Sequence, residues 1–152
     1  MPPLDEGDIL YMPTLFPGIS ITKAKEFLQQ SDKILKTFPE VHHVFGKVGR
    51  AQSATDAAPL SMIETTIRLK PKEMWPDPTK TTSDVMAEMD KAINFPGVAN
   101  AWTMPIKTRI DMLSTGIKTP IGIKVSGPDL AVLQNISQDI EQAMKGLPDT
   151  TS

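Results

Sequence analysis

The sequence contains no cysteine. That excludes a disulfide framework, a thiolate metal site and a cysteine nucleophile. It also lacks a glycine-rich phosphate loop, a Gly-x-Ser-x-Gly elbow and a paired-histidine metal motif. The two histidines, His42 and His43, are adjacent. Neighbouring side chains on a strand face opposite sides, so these two are expected as surface residues and not as a chelate. No apolar run approaches the ~20 residues needed to cross a bilayer, and no signal peptide is present. This fits either a cytosolic protein or a piece of a longer one whose targeting lies elsewhere. A formal net charge of −2 gives no reason to expect nucleic acid or an anionic membrane surface as partner.

What is present suits a packed domain. The chain has 152 residues, 39% hydrophobic and 22% charged, enough for one core or one and a piece. Asp8 to Pro13 reads as a short strand. Ser20 caps a helix over about Ile21 to Thr37, with Ala24, Phe27, Leu28, Ile34 and Leu35 as its apolar stripe. A strand follows from Val41 through Phe45, then a long loop from Gly46 to Pro59. Met62 to Leu69 is a clear strand, and Pro71 to Lys80 a proline-rich loop. Ser83 is the expected cap of a second helix running to Asn94, before a strand over about Ala99 to Met104. Ile121 to Val125 reads as a further strand. Pro128 suits the first turn of a third helix carrying Leu130, Leu133, Ile136 and Ile140. The expected class is α+β: a ferredoxin-like βαββαβ unit, then the β-α of a second unit.

Three methionines stand beside charged or strand-forming neighbours: Met12, Met62 and Met112. A thioether is a soft, neutral ligand that suits Cu(I) and Ag(I) and is poor for Zn(II), Mg(II) or Ca(II). On the strand from Met62 to Leu69, alternation puts Met62, Glu64, Thr66 and Arg68 on one face. Ile63, Thr65, Ile67 and Leu69 share the other, which is the better core face. Met62 is thus expected to point away from the helix-covered core with Glu64. On the first strand Met12 falls with Asp8 and Leu10. The competing reading is that all three fill gaps in the core, as most methionines do, and Met86, Met89 and Met144 are expected to do so. Glu6, Asp8, Asp56 and Glu64, balanced by Arg109 and Lys118, form either an acidic cluster or an ordinary charged surface. No His–carboxylate constellation selects a substrate pocket, so an enzyme is not expected.

Several stretches together carry a resemblance: Leu4-Asp-Glu-Gly-Asp8, Val44-Phe-Gly-Lys47, Ala54-Thr-Asp56, Glu64-Thr-Thr66 and Arg109-Ile-Asp-Met-Leu-Ser-Thr-Gly116. Over essentially its whole length the chain resembles heavy-metal efflux pumps of the resistance-nodulation-division (RND) family, of the copper/silver, Cus/Sil type. The resemblance implies a trimeric, proton-driven transporter of the bacterial inner membrane, with large periplasmic porter subdomains, a periplasmic adaptor and an outer-membrane channel as partners. It implies that residues 4–115 are one porter subdomain and that 116–152 begin the next. It implies a cleft in which Met12, Met62 and Met112 bind Cu(I) or Ag(I) as transported ligand, with no organic cofactor. Glu6, Asp56, Glu64, Arg109 and Lys118 match charged positions along the metal's route. Met104 is open between an extra ligand and a core residue. Two alternatives remain: the porter domain of a divalent-metal (Zn/Co/Cd) pump, which would carry carboxylates or His where Met stands here, and a freestanding periplasmic metal carrier.

Overall fold

The computed structural model describes residues 5–52, 57–116 and 123–145. In chain order the elements are β1 (Asp8–Tyr11), α1 (Ile21–Lys36), β2 (Val41–Lys47), β3 (Ala51–Gln52), β4 (Ala57–Ala58), β5 (Glu64–Leu69), α2 (Thr82–Ala92), β6 (Trp102–Thr103), α3 (Pro105–Thr115) and α4 (Leu130–Met144). The main sheet has four strands in the order β2-β5-β1-β6, every neighbouring pair antiparallel. β5 therefore lies between β1 and β2 and splits the β1-α1-β2 crossover. The expected α+β class holds.

Local chemistry explains the helix starts. The Ser20 hydroxyl accepts from the Lys23 amide at 3.2 Å, as expected for α1. The cap of α2 is Thr81, not Ser83: Thr81 and Asp84 form a reciprocal capping box that satisfies two otherwise orphaned amides. For α4 the cap is Asp129, whose carboxylate accepts from the Ala131 and Val132 amides. Pro128 precedes that cap and does not lie in the first turn.

One face of the sheet holds the principal core. Ile9 and Tyr11 of β1 and Ile67 of β5 pack with Leu35 of α1 and with Val85 and Met89 of α2. Each such fully buried aliphatic side chain is worth roughly 1.5–3 kcal/mol against exposure. Tyr11 stacks on Trp102 with ring centroids 4.5 Å apart, and its hydroxyl donates to Asn100 Oδ1 at 2.8 Å. A second cluster, Leu15, Ala24 and Ile63, extends this core under the start of α1. α1 approaches β2 so closely that a Cβ on Gly46 would stand 2.3 Å from Leu28 Cδ1 and 2.6 Å from an Asp32 carboxylate oxygen. Met89 is fully buried in this core and Met86 packs at its edge, as expected.

Four expectations are corrected. The segment from Pro105 to Thr115 is a helix, where the sequence reading assigned none. β2 runs on through Lys47, and the expected long loop contains a small β3–β4 hairpin. A register shift in β2 between Val41 and His43 brings the rings of His42 and His43 together, centroids 4.1 Å apart, although both residues are exposed. The bulge breaks the alternation on which opposite facing depended. Finally, Ile123 to Val125 carry no strand, while Ile121 and Gly122 lie outside the described residues.

Candidate functional site

The opposite face of the sheet is covered differently. Residues paired directly across antiparallel strands project to the same side. Leu10 pairs with Thr66 on one flank and Thr103 on the other, so these three share a face, and Tyr11, Thr65 and Trp102 share the core face. The Thr108 hydroxyl of α3 donates to Thr103 Oγ1 at 2.7 Å. α3 therefore lies over the Leu10 side. Its Thr108 and Asp111 are buried, and Leu10 and Met12 are buried without belonging to either apolar cluster.

α3 starts at Met104, whose side chain has nothing to offer the first-turn amides, so the cap comes from elsewhere. The Glu6 carboxylate accepts from the Ile106 amide at 2.7 Å and from the Lys107 amide at 2.8 Å, across a hundred residues of sequence. An acidic group at a helix N-terminus also meets the positive end of the helix dipole. Pro105 at the first position and Gly116, at φ 75°, as the left-handed stop complete the helix. These two signals were readable in the sequence. The trans cap was not.

Met12, Met62 and Met112 can now be placed. The β1–β5 register, Asp8 opposite Arg68 through Tyr11 opposite Thr65, continues to a bridge between Thr14 and Met62. Met12 follows Leu10 by two residues and Met62 precedes Glu64 by two, so both project to the α3 side, diagonally across the strand pair. Met12 is buried, at 1% exposure, and Met62 is half-buried. Met112 is half-buried on α3, one turn beyond Thr108. Glu6 meets the first turn of α3 and Thr103, the partner of Leu10, meets Thr108, so α3 runs along β1 in the same direction. Four helical residues advance ~6 Å and two strand residues ~6.6 Å, which carries Met112 from the level of Leu10 toward that of Met12.

The charged candidates do not form one cluster. Glu64 is held by Lys47, Nζ to Oε2 2.8 Å, and lines a cleft of about 170 Å³ with Met62, Arg50 and Ala58. Glu6 caps α3, and it and Asp8 line a different depression at the other end of the strands. Arg109 is exposed on the outer side of α3, and Met104 is half-buried as its cap. Asp56 and Lys118 lie outside the described residues. Among the described residues no three His, Asp or Glu side chains are grouped to hold a metal ion.

α4 buries none of its residues; Leu130 is 82% exposed, and Met144, expected in a core, is only half-buried. Among the described residues no helix is long and apolar enough to cross a membrane.

Known proteins resemble this chain in sequence and fold. The chain is 51% identical over all 152 residues to the cation efflux system protein CusA of Escherichia coli (strain K12), and equally to the putative cation efflux system protein SilA of Salmonella typhimurium. It is 31% identical, over 97% of its length, to the cobalt-zinc-cadmium resistance protein CzcA of Cupriavidus metallidurans. In each comparison the chain spans 14% of the relative's length. The X-ray crystal structure of a heavy metal efflux pump, crystal form I, superposes with a TM-score of 0.88 at 29% identity, covering 98% of this chain and 16% of that one. The likeness to Cus/Sil-type pumps read from the sequence stands. The AcrB/AcrD/AcrF family model matches residues 1–152, end to end, and the chain belongs to that family.

Proposed function

We propose that this chain is a periplasmic porter portion of a proton-driven heavy-metal efflux pump, and that Met12, Met62 and Met112 together bind Cu(I) or Ag(I) in transit. The observation that carries the reading is the position of Met12 and Met62 on the sheet face that α3 covers, with Met112 on α3 itself. Three neutral sulfur donors, one buried and two half-buried, suit a soft monovalent cation, which loses little hydration and needs no counter-charge of its own. Thioethers require no deprotonation, so binding holds over a wide pH range, unlike binding by His or Cys.

The divalent-metal alternative is less well supported. Such a site draws on carboxylates or imidazoles, and among the described residues none are grouped in threes. Identity is also higher to CusA and SilA than to the relative named for cobalt, zinc and cadmium resistance. As the porter portion of an RND pump, the chain would act with its own membrane domain in a homotrimer, and with a periplasmic adaptor and an outer-membrane channel. Residues 4–115 would form one porter subdomain and 116–152 the start of the next, in keeping with an α4 that buries none of its residues.

The test is a titration of this chain with Ag(I) and Cu(I), with Zn(II) as control. Ag(I) is expected to bind more tightly than Zn(II). Met62→Ile, a near-isosteric swap costing under ~1.5 kcal/mol, is expected to abolish Ag(I) binding with little change in melting temperature. Equal or tighter Zn(II) binding would overturn the assignment.

A further inference from the structure

The cleft beside Met62 has an electrostatic arrangement that three thioethers do not require. Lys47 and Glu64 stand directly opposite each other in the β2–β5 register, so the backbone itself brings them together. Their ion pair is 2.8 Å long, with the Glu64 side chain 21% exposed. Met62 lies two residues from Glu64 on the same face, and Arg50 supplies a second cation to the cleft. Among the described residues one carboxylate therefore lines this cleft with Met62, and it is already engaged by a cation.

We propose that Lys47 is a specificity-determining residue: by holding Glu64 in an ion pair beside Met62, it keeps a hard carboxylate out of the metal's ligand set and biases the cleft against divalent ions. This rests on the methionine reading of the site. The argument is one of charge and softness. A free carboxylate next to a thioether would offer an oxygen ligand to Zn(II) or another hard or borderline cation. Coulomb attraction to that carboxylate, and repulsion from Lys47 and Arg50, are both twice as large for a divalent as for a monovalent ion at the same distance. Neutralising the carboxylate, and leaving a net positive charge among the described lining residues, thus penalises a divalent ion more. Cu(I) or Ag(I), bound by sulfur, loses less. A cross-strand ion pair serving stability alone would leave metal selectivity unmoved.

The experiment compares Ag(I) and Zn(II) affinities of the parent chain, Lys47→Gln, Lys47→Arg, and Lys47→Gln combined with Glu64→Gln, with melting temperatures as a folding control. Lys47→Gln is expected to raise Zn(II) affinity about tenfold, because it removes a nearby like charge and releases the carboxylate together. Ag(I) affinity should move by less than about threefold, since its sulfur ligands are untouched. Lys47→Arg should behave as the parent, and the double variant should lose the Zn(II) gain. If Lys47→Gln leaves the Zn(II)/Ag(I) ratio unchanged while the parent binds Ag(I), the inference falls and the methionine site stands. A Zn(II) gain that survives in the double variant also overturns it, because the released carboxylate is then not the ligand. If the parent does not bind Ag(I), or Met62→Ile binds it as well as the parent, the site reading fails and takes the inference with it.

Discussion

The two faces of the central sheet are built on different terms. On the face covered by α1 and α2, closely interlocked aliphatic and aromatic side chains exclude water; Ile9, Tyr11, Ile67, Val85 and Met89 are all fully buried. On the face covered by α3, the buried residues are Leu10, Met12, Thr108 and Asp111, with Met62 and Met112 half-exposed at the margin. The first face provides the driving force for folding. The second is held by directed contacts, the Glu6 cap and the Thr103–Thr108 hydrogen bond, and leaves soft donor atoms near solvent. On the proposed reading, a methionine has two roles in one domain, set by the face on which it falls.

The sharpest way to break the comparison is to truncate a methionine on the first face. Met89→Ala is expected to cost roughly 2–5 kcal/mol in urea unfolding, through lost burial and a residual cavity. Ag(I) binding should be intact wherever the variant is folded. Loss of binding without loss of stability would show that the methionines are sorted wrongly. Next in size is Gly46→Ala. The new methyl would meet Leu28 and the Thr65 hydroxyl, so α1 must shift on the sheet, at about 1–3 kcal/mol. Circular dichroism melts would register the loss, and an unchanged melting temperature would mean that α1 is not seated as tightly as the geometry requires.

On the second face, Glu6→Ala should cost about 1 kcal/mol, the usual worth of a capping side chain. Its more telling effect is local: amides of α3 should exchange faster than those of α1, and Ag(I) affinity should fall because the helix that carries Met112 is less firmly held. Unaltered exchange in α3 would remove Glu6 from that role. The smallest effect expected is a change in pH dependence. Burial holds the Asp32 carboxyl above its ordinary range, partly offset by hydrogen bonds from the Thr65 hydroxyl and the Gly46 amide. The folded state then binds this proton more readily than the unfolded state. The contribution of Asp32 to stability therefore declines as pH rises from the ordinary carboxylate range through the raised value. Asp32→Asn should flatten that part of the stability–pH curve, and an unchanged slope would assign the pH dependence elsewhere.

Much of this was legible in the sequence where periodicity is strong. The strand expected over Met62 to Leu69, formed over Glu64–Leu69, and the stripe of α1 follow from alternation and from a 3.6-residue repeat, and the outward position of Met62 with Glu64 follows from the same alternation. α3 was not legible, because its apolar residues Ile106, Ile110 and Leu113 are exposed, the side it buries carries Thr108 and Asp111, and its capping carboxylate comes from Glu6. The contact between His42 and His43 was hidden because a bulge is a property of strand pairing and leaves no mark on the residues themselves.

By itself, then, the sequence determined which soft donor is available: without cysteine, and with its histidines outside any metal motif, that donor is methionine. It also determined the side that Met62 takes, bridged to Thr14 just before β5 and sharing Glu64's face, since extended backbone alternates whatever it packs against. Only the tertiary structure decided that α3 exists and lies over that face, that Glu6 secures its first turn, and that Lys47 meets Glu64 beside Met62. Those facts depend on which strands pair in which register, and residues 17 to 101 positions apart leave no local trace of such a meeting.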